Sequence, residues 1–475
     1  LQNYSGTLKL VGEDLVESIY EGPLEHQFFD EKKSKAEITA FIDLTKHELE
    51  TYGINDADTE LVISKTITNE GNKTSVGINF IRIGREIVVK TSDEKKRFQS
   101  KKGSYTEQIS DGSAKKILED LENQFILIPA DRIVIRDPDI RSEKNRVEQY
   151  LKESLIRLAN SKDKDRNLLF KQFTDFIGEI SALIDCVETV KQKQKIVDIK
   201  FKTYDGAEIP LSTIGGGNNE LLLLLHDMII SGGLILAIEE PEIHLHPEPQ
   251  RKLYTFMKEF SKSTQMFVVT HSPIFVQPDN IRGLFRVVKE SYGTTTYEMN
   301  KEEYIDRDRL QQELNSENCE MFFADKVLLV EGISDKILME GLIKKYCKST
   351  DEIKVVTSFS KDNFEVYVQL LKIFKISHVV MTDLDSLKGR MQIKVIWREL
   401  KGKSFKNRDE RIEFLKKKKI HVLSKGDLER SYPSRYRRHI SKPLDALYAI
   451  HNLTDEEYES NRMKDLREVI EALER

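Results

Sequence analysis

Cysteine is scarce. The 475-residue chain has three, Cys186, Cys319 and Cys347, odd in number and far apart. That excludes a disulfide scaffold and any CxxC metal knuckle, and it points to a reducing, cytoplasmic compartment. A bound metal would rest mainly on oxygen ligands. Glycine (23) and proline (11) are sparse as well, so neither a collagenous nor a broadly disordered chain fits. Long apolar runs are missing: the one membrane-like stretch, 221–238, is interrupted by His226, Asp227, Ser231, Gly232 and Gly233, whereas a spanning helix needs about 20 mainly apolar residues. It reads as a buried helix, a turn and a buried strand, and no membrane partner is expected. Residues 1–20 lack the basic segment and apolar core of a secretory signal. Nor is there an excess of positive charge. The balance of 75 Lys+Arg against 80 Asp+Glu argues against a uniformly basic nucleic-acid coat but permits local basic grooves.

What remains is a chain too long for one core, with room for about three domains at ~150 residues each. Residues 36–43, 60–67 and 76–83 alternate apolar and polar between Asn/Asp/Gly turn clusters, the pattern of an antiparallel meander. From Arg141 to about Gln194 apolar residues recur at three- and four-residue spacing among many charges, which predicts a helical insert. From Leu211 short apolar runs end in Gly or Pro with helices between them, as in a parallel α/β sheet. A second such pattern begins near Lys326, after the polar stretch 306–318.

Two constellations carry chemistry. In the first, the run GLILAIEEPE (233–242) emerges into consecutive carboxylates, where open α/β sheets place their ligands. Glu239 could serve a Mg²⁺ with its water shell and Glu240 could orient or deprotonate an attacking water. The bland alternative is a strand followed by a solvated acidic turn. Downstream, QMFVVTHSP (265–273) delivers His271 at a strand end, suited to contact a γ-phosphate or its water. Upstream, LSTIGGGNNE (211–220) is a glycine-rich loop opening a helix, an anion site by its N–H groups and dipole. In this order the elements resemble the ATPase head of the ABC superfamily. The resemblance makes Gly215, Gly216, Gly217, Asn218 and the residues to Glu220 the signature loop, Glu239 and Glu240 the Walker B acids, 243–246 the D-loop and His271 the switch histidine. Glu-Glu-Pro-Glu followed by His-Leu-His-Pro is characteristic of its recombination-protein-like and OLD-like branches, and FILIPADR (125–132) looks like the segment they carry before a helical insert. No G-x-x-x-x-G-K-[ST] loop occurs anywhere. Residues 1–6 resemble the first strand of such heads and 7–12 the helix that normally follows the loop, so the residues between are expected to be missing from this sequence.

In the second constellation, KVLLVEGISDK (326–336) is a strand ending in Glu331-Gly332, with Asp335 entering the next helix. HVVMTDLD (378–385) carries Asp383 and Asp385 at i and i+2, which strand alternation would put on one face. HVLSKGDLE (421–429) repeats the arrangement with Asp427 and Glu429. So many acids at one sheet edge would repel unless divalent cations neutralised them. This order resembles the Toprim domain of topoisomerases, primases and nucleases, and the Ser-Asp and Gly-Asp-Leu-Glu motifs narrow it to the OLD (overcoming lysogenization defect) family. The resemblance implies that Glu331, Asp383 and Asp385 hold one Mg²⁺ or Mn²⁺ and that Asp335, Asp427 and Glu429 hold a second, for phosphodiester cleavage. The family also uses a lysine beyond its last acidic motif; Lys464 is the first candidate and Lys442 the second. Lys416, Lys417, Lys418 and Lys419, with Arg435, Arg437 and Arg438 interleaved with Tyr432 and Tyr436, flank the last motif as a DNA track.

The resemblance thus implies a mixed α/β chain. An ABC-type ATPase head occupies 1–140 and 201–305, with a helical, dimerising insert at 141–200. A linker covers 306–320 and a Rossmann-like Toprim nuclease 321–475. It implies a DNA endonuclease or nickase using Mg²⁺ or Mn²⁺ and ATP, as a homodimer or larger assembly, in anti-phage defence of the Gabija or retron-associated kind, with a helicase or a reverse transcriptase and its nucleic acid as candidate partners. The alternative is a nucleotide-gated DNA clamp whose Toprim acids do not cut. A primase or topoisomerase is disfavoured by the lack of zinc ligands and of a strand-passing tyrosine context.

Overall fold

A computed structural model describes residues 7–8, 35–43, 60–70, 73–83, 86–90, 125–130 and 144–475. The last range has gaps at 163, 182–183, 194, 210–215, 231–234, 263, 291–292, 301–304, 306, 388–392 and 439–440. The chain divides into two compact units, Leu1–His271 with Lys289–Thr295, and Ser272–Val288 with Thr296–Arg475.

In the first unit, β1 (Thr7–Leu8), β2 (Lys35–Asp43), β3 (Glu60–Glu70), β4 (Lys73–Ile83) and β5 (Glu86–Lys90) form one sheet in chain order, the antiparallel meander that the alternation predicts. Thr7 and Leu8 pair with Phe41 and Ala40, so they are strand where helix was expected; residues 9–12 lie outside the described residues. After β6 (Phe125–Ile128) come helices α1 (Lys144–Ala159) and α2 (Lys164–Ile180). The expected helical insert stops there. β7 (Ile184–Gln192) and β8 (Lys195–Thr203) form an antiparallel ladder, which the short β9 (Glu208–Ile209) extends. The reason is period: Ile199 and Phe201 point into the core while Lys200 and Lys202 pair outside with Glu208 and Glu188 at 2.7 Å, an alternation that no helix can satisfy.

The helix α3 (Gly216–Ile230), strand β10 (Ile235–Glu239), helix α4 (Pro247–Phe260) and strand β11 (Met266–Val269) complete this unit. Leu221, Leu222, Leu224 and Leu225 are all buried, as an all-round apolar helix requires. Leu151 and Leu155 of α1 and Phe173 and Ile177 of α2 are buried as well, and His226 Nε2 of α3 lies 2.8 Å from Ser154 Oγ of α1. The Phe176 ring meets Phe256 of α4 edge-on at 4.0 Å. A parallel sheet, ordered β11-β10-β6, aligns the carboxyl ends of three strands.

The strands β12 (Phe285–Glu290) and β13 (Gly293–Glu298) form a two-stranded sheet. Helices α5 (Arg307–Glu313) and α6 (Ser316–Cys319) follow. They occupy the span expected to be a linker, yet Leu310, Leu314 and Cys319 are buried in the second unit's core. Polar composition hid three apolar anchors there.

The centre of the second unit is a four-stranded parallel sheet, ordered β15-β14-β16-β17, of β14 (Lys326–Val330), β15 (Ile353–Thr357), β16 (Ser377–Thr382) and β17 (Ile420–Val422). Helices α7 (Ile333–Tyr346), α8 (Phe364–Ile373), α9 (Lys394–Leu400), α10 (Arg408–Lys416), α11 (Lys442–Asn452), α12 (Asp455–Tyr458) and α13 (Lys464–Glu474) accompany it. Val327 and Leu329 of β14 join a core with Leu370, Ile396 and Leu415 on one face. Leu328 and Val330 join Leu338, Ala446 and Val469 on the other. Burial on both faces explains why these strands read as unbroken apolar runs. α7 and α11 approach so closely that a Cβ on Gly341 would lie 2.6 Å from Ile450. The crossover α7 lies on one face and α8 on the other, so the winding reverses at β14. The crevice at the carboxyl ends of β14 and β16 is the place where such sheets bind ligands.

Candidate active site

Glu331 follows β14 directly. Gly332 begins α7 in extended conformation and donates its N–H to Asp335 Oδ2 at 3.0 Å, so the Glu-Gly-x-x-Asp spacing folds Asp335 back over the helix start. Asp383 follows β16, and Asp385 sits in a 3₁₀ turn, Leu384–Leu387. The i, i+2 pair therefore lies beyond the strand, and a turn rather than strand alternation positions it. Thr382 Oγ1 and Ser386 Oγ, 2.6 Å apart and buried, close that turn. Leu384 N donates to Gly426 O at 2.7 Å, which ties it to the next acidic segment. There Gly426 has φ +125°, a left-handed conformation open to glycine at little cost, and Asp427 caps the turn Leu428–Arg430 by accepting from Arg430 N at 3.1 Å.

These carboxylates share one electrostatic environment. Burial, reinforced by the charges of Asp335, Glu331 and Asp385, pushes Asp383 up to about 7. Burial together with Glu331 and Glu429 pushes Asp335 up to about 6, against the Gly332 N–H that favours its ionised form. Burial and Asp385 raise Glu331 as well. Such a cluster is costly unless cations attend it.

The structure supplies two lysines. Lys361 Nζ lies 2.5 Å from Asp385 Oδ2 and 3.7 Å from Glu331 Oε2. Lys442 Nζ lies 2.9 Å from Glu429 Oε1 and is raised first by its hydrogen bond to Glu429, then by Asp427 and Asp383. Lys464 instead pairs with Glu468 on its own helix at 3.7 Å. The second-ranked lysine, not the first, meets the acids, because α11 rather than α13 begins beside them. Lys361 was missed from the sequence; its only signal is a lysine four residues after β15, between two acid-tipped strands.

Divalent ions fit this donor set on two observations. Glu331 Oε2 and Asp385 Oδ1 are buried without a hydrogen-bond donor, and every candidate ligand is a carboxylate oxygen, the donor that hard cations take. Among the described residues no three His, Cys, Asp or Glu side chains already converge on one metal position, so closer approach would accompany binding.

In the first unit, Ala130 N, just past β6, donates to Glu239 Oε2 at 3.4 Å. Glu240 holds φ +44°, strained for a residue with a Cβ, while its N–H reaches Val269 O at 2.7 Å. Burial, then Glu242, raises its carboxyl, and His271 Nε2 stands 3.4 Å from its Oε1. Glu242 Oε1 accepts from Thr270 Oγ1 at 2.6 Å and from His271 N at 2.7 Å, fixing the histidine's backbone. In the 241–244 turn, His244 Nε2 lies 3.5 Å from Glu220 Oε1. The structure thus gathers Glu239, Glu240 and His271. Gly216, Gly217 and Asn218 already belong to α3, while Gly215 and the side chains of 216–219 lie outside the described residues.

The basic track is less open than its sequence suggests. Tyr432 and Tyr436 are buried and cannot stack on bases. Lys416 pairs with Glu413 and Glu468, Lys419 donates to Ser377 Oγ at 3.1 Å, and Arg435 pairs with Glu457 at 2.7 Å. Arg438 donates from its Nε to Arg435 O at 2.6 Å. Lys417, Lys418 and Arg437 are exposed.

Residues 15–276, more than half the chain, match the AAA ATPase domain family. Residues 322–385 match the TOPRIM domain of overcoming lysogenization defect protein-like proteins. An OLD nuclease of Thermus scotoductus is 31% identical over 161 residues, covering 32% of this chain and 30% of that protein. The endonuclease GajA of Bacillus cereus is 26% identical over 400 residues, covering 75% of this chain and 65% of that protein. The chain therefore spans from under a third to just under two thirds of these relatives. A solved Smc head bound to the C-winged helix domain of ScpA is 14% identical with a TM-score of 0.35, over 57% of this chain and 76% of that one.

Proposed function

The chain belongs to the AAA ATPase domain family and carries an OLD-like TOPRIM domain, and from that premise we propose a divalent-metal-dependent DNA endonuclease or nickase controlled by an ATPase head. The observation that carries it is the gathering of acids from three strand ends, with Asp383 pushed up to about 7 and Asp335 to about 6. A partly buried acid cluster at this electrostatic cost supports a functional reading.

Glu331, Asp383 and Asp385 would hold one Mg²⁺ or Mn²⁺, and Asp335, Asp427 and Glu429 a second. When bound, such ions supply Lewis-acid and charge-neutralising chemistry for phosphodiester hydrolysis. The chain's own part is positional. The turn closed by Thr382 and Ser386 fixes Asp383 and Asp385, and the Leu384–Gly426 hydrogen bond locks two acidic segments together. Lys361 and Lys442 bring cations to a site that a phosphate must enter. In the head, Glu240 would orient water beside His271, and Glu239 would serve the ion of ATP. Homodimerisation through α1 and α2, location in the cytoplasm, and a defence role beside a helicase or reverse transcriptase belong to the same reading.

A second reading, a nucleotide-gated DNA-binding protein that does not cut, draws on Lys361, which already neutralises Asp385 and Glu331. Nicking of supercoiled plasmid in Mg²⁺ or Mn²⁺ separates the two. The nuclease reading expects cutting by wild type and none by Glu331→Ala or Asp383→Ala. Equal activity in all three removes it.

A further inference from the structure

Three segments that bring residues to the carboxylate cluster each expose an apolar side chain two positions away. Ile333, two residues after Glu331, is 48% exposed; Phe359, two before Lys361, is 62% exposed; Leu444, two after Lys442, is 52% exposed. Phe364, Tyr367 and Phe374, which follow in the same segment, are buried, while Trp397 and Phe285 of this unit are exposed away from the acid-bearing segments.

Phe359 departs furthest from what folding alone would choose. Its φ is +54°, a left-handed conformation that is an outlier for a bulky residue and costs on the order of 1–3 kcal/mol. The segment around it is well anchored. Ser358 N donates to Val330 O at 2.9 Å, Ser360 caps the turn 361–363 by accepting from Asp362 N at 3.3 Å, and Asn363 Nδ2 donates back to Ser358 O at 3.0 Å. The chain thus fixes a strained backbone on both sides of a phenyl ring and leaves the ring in solvent. Ser358 is bonded to Val330, the residue before Glu331, and two residues span at most about 7 Å, so the backbone of Phe359 lies at the rim of the sheet edge that carries Glu331 and Lys361. A phosphodiester bound at those acids carries a nucleoside on each side, which must cross this rim.

We infer that Phe359 is a nucleobase-stacking residue that takes an unpaired base beside the scissile phosphate, with Ile333 and Leu444 as apolar flanks. The preferred substrate is then a nucleic-acid strand with an unstacked nucleotide at the cut, rather than an undistorted duplex. A base inside an intact stack offers no face to the ring, whereas an unpaired one does, and base–aromatic stacking is worth about 1–3 kcal/mol per base. The inference rests on the proposed nucleic-acid chemistry of this site.

The test is a binding cycle, read by fluorescence anisotropy of labelled oligonucleotides on the full chain in Ca²⁺, an oxygen-seeking cation used in place of the Mg²⁺ or Mn²⁺ of the proposed cutting, so it reads binding alone. Wild type, Phe359→Ala and Phe359→Trp are titrated against duplexes with one unpaired nucleotide and against the same duplexes with an abasic site there. Stacking expects Phe359→Ala to weaken binding of the base-containing oligonucleotide about 5- to 150-fold, the abasic one to be insensitive to the substitution, and Phe359→Trp to restore affinity. Equal loss on both oligonucleotides means a structural role and overturns the inference, as does no loss on either. Coverage of the rim by a second copy or another protein would show as that same lack of effect. Absence of plasmid nicking by wild type would instead sink the nuclease reading and leave this cycle interpretable.

Discussion

Asp383→Asn offers the most direct test of the electrostatic account. Asp383 is pushed from an ordinary 3.8 up to about 7, first by burial and then by three neighbouring carboxylates. At about 1.36 kcal/mol per pH unit, ionised Asp383 would destabilise the metal-free fold by up to about 4 kcal/mol near neutral pH. Screening by residual solvent reduces this to roughly 2 kcal/mol. Because the folded value lies above the unfolded one, the contribution is fully present below 3.8 and is lost as pH rises toward about 7. The uncharged amide should therefore raise the melting temperature in EDTA at pH 8 by about 4–8 °C for a unit of this size, with the gain vanishing near pH 4. His421 works in the opposite sense: burial pushes it down to about 4, so its contribution is lost as pH falls from 6.5 through about 4. It is common to wild type and variant and cancels in their difference. In Mg²⁺ the order should reverse, since ligand binding stabilises wild type and the amide lacks the charge to hold the ion. Differential scanning fluorimetry at several pH values, with EDTA or Mg²⁺, reads all of this. An Asp383→Asn melting curve identical to wild type in EDTA, or an undiminished Mg²⁺ shift, would refute the reasoning.

Lys361→Met leaves Asp385 and Glu331 without their cation. It should lower the EDTA melting temperature by the equivalent of about 1–3 kcal/mol and enlarge the rise produced by Mn²⁺, both measurable by the same method. Glu240→Gln, which keeps the shape beside His271 but removes the base, should retain ATP binding in an equilibrium assay and lose phosphate release. Gly341→Val drives a side chain into Ile450 at the α7–α11 crossing; about 1–3 kcal/mol of destabilisation from overpacking should appear in urea unfolding, whereas Gly341→Ala should cost less.

Much of the architecture was legible in periodicity. The meander strands, the apolar helix before β10 and the double-sided strands of the second unit all follow from side-chain alternation or its absence. Where a helical spacing was carried past its end, or polarity was read alone, the reading slipped. The span 184–203 is a ladder because Ile199 and Phe201 alternate with lysines, and 306–320 is helical because Leu310, Leu314 and Cys319 anchor it.

The acids at the carboxyl ends of β14, β16 and β17 were written in the chain, since a strand that stops at Glu331 or just short of Asp383 stops at the same sheet edge whatever surrounds it. Which cations stand beside them was not. Lys361 comes from a different strand's loop and Lys442 from a helix start, while Lys464, alike in sequence, lands beside Glu468. Local pattern fixes which backbone positions reach an edge, because hydrogen bonding and burial act over a few residues. Which charges become neighbours depends on how distant segments pack, and no short-range rule contains that.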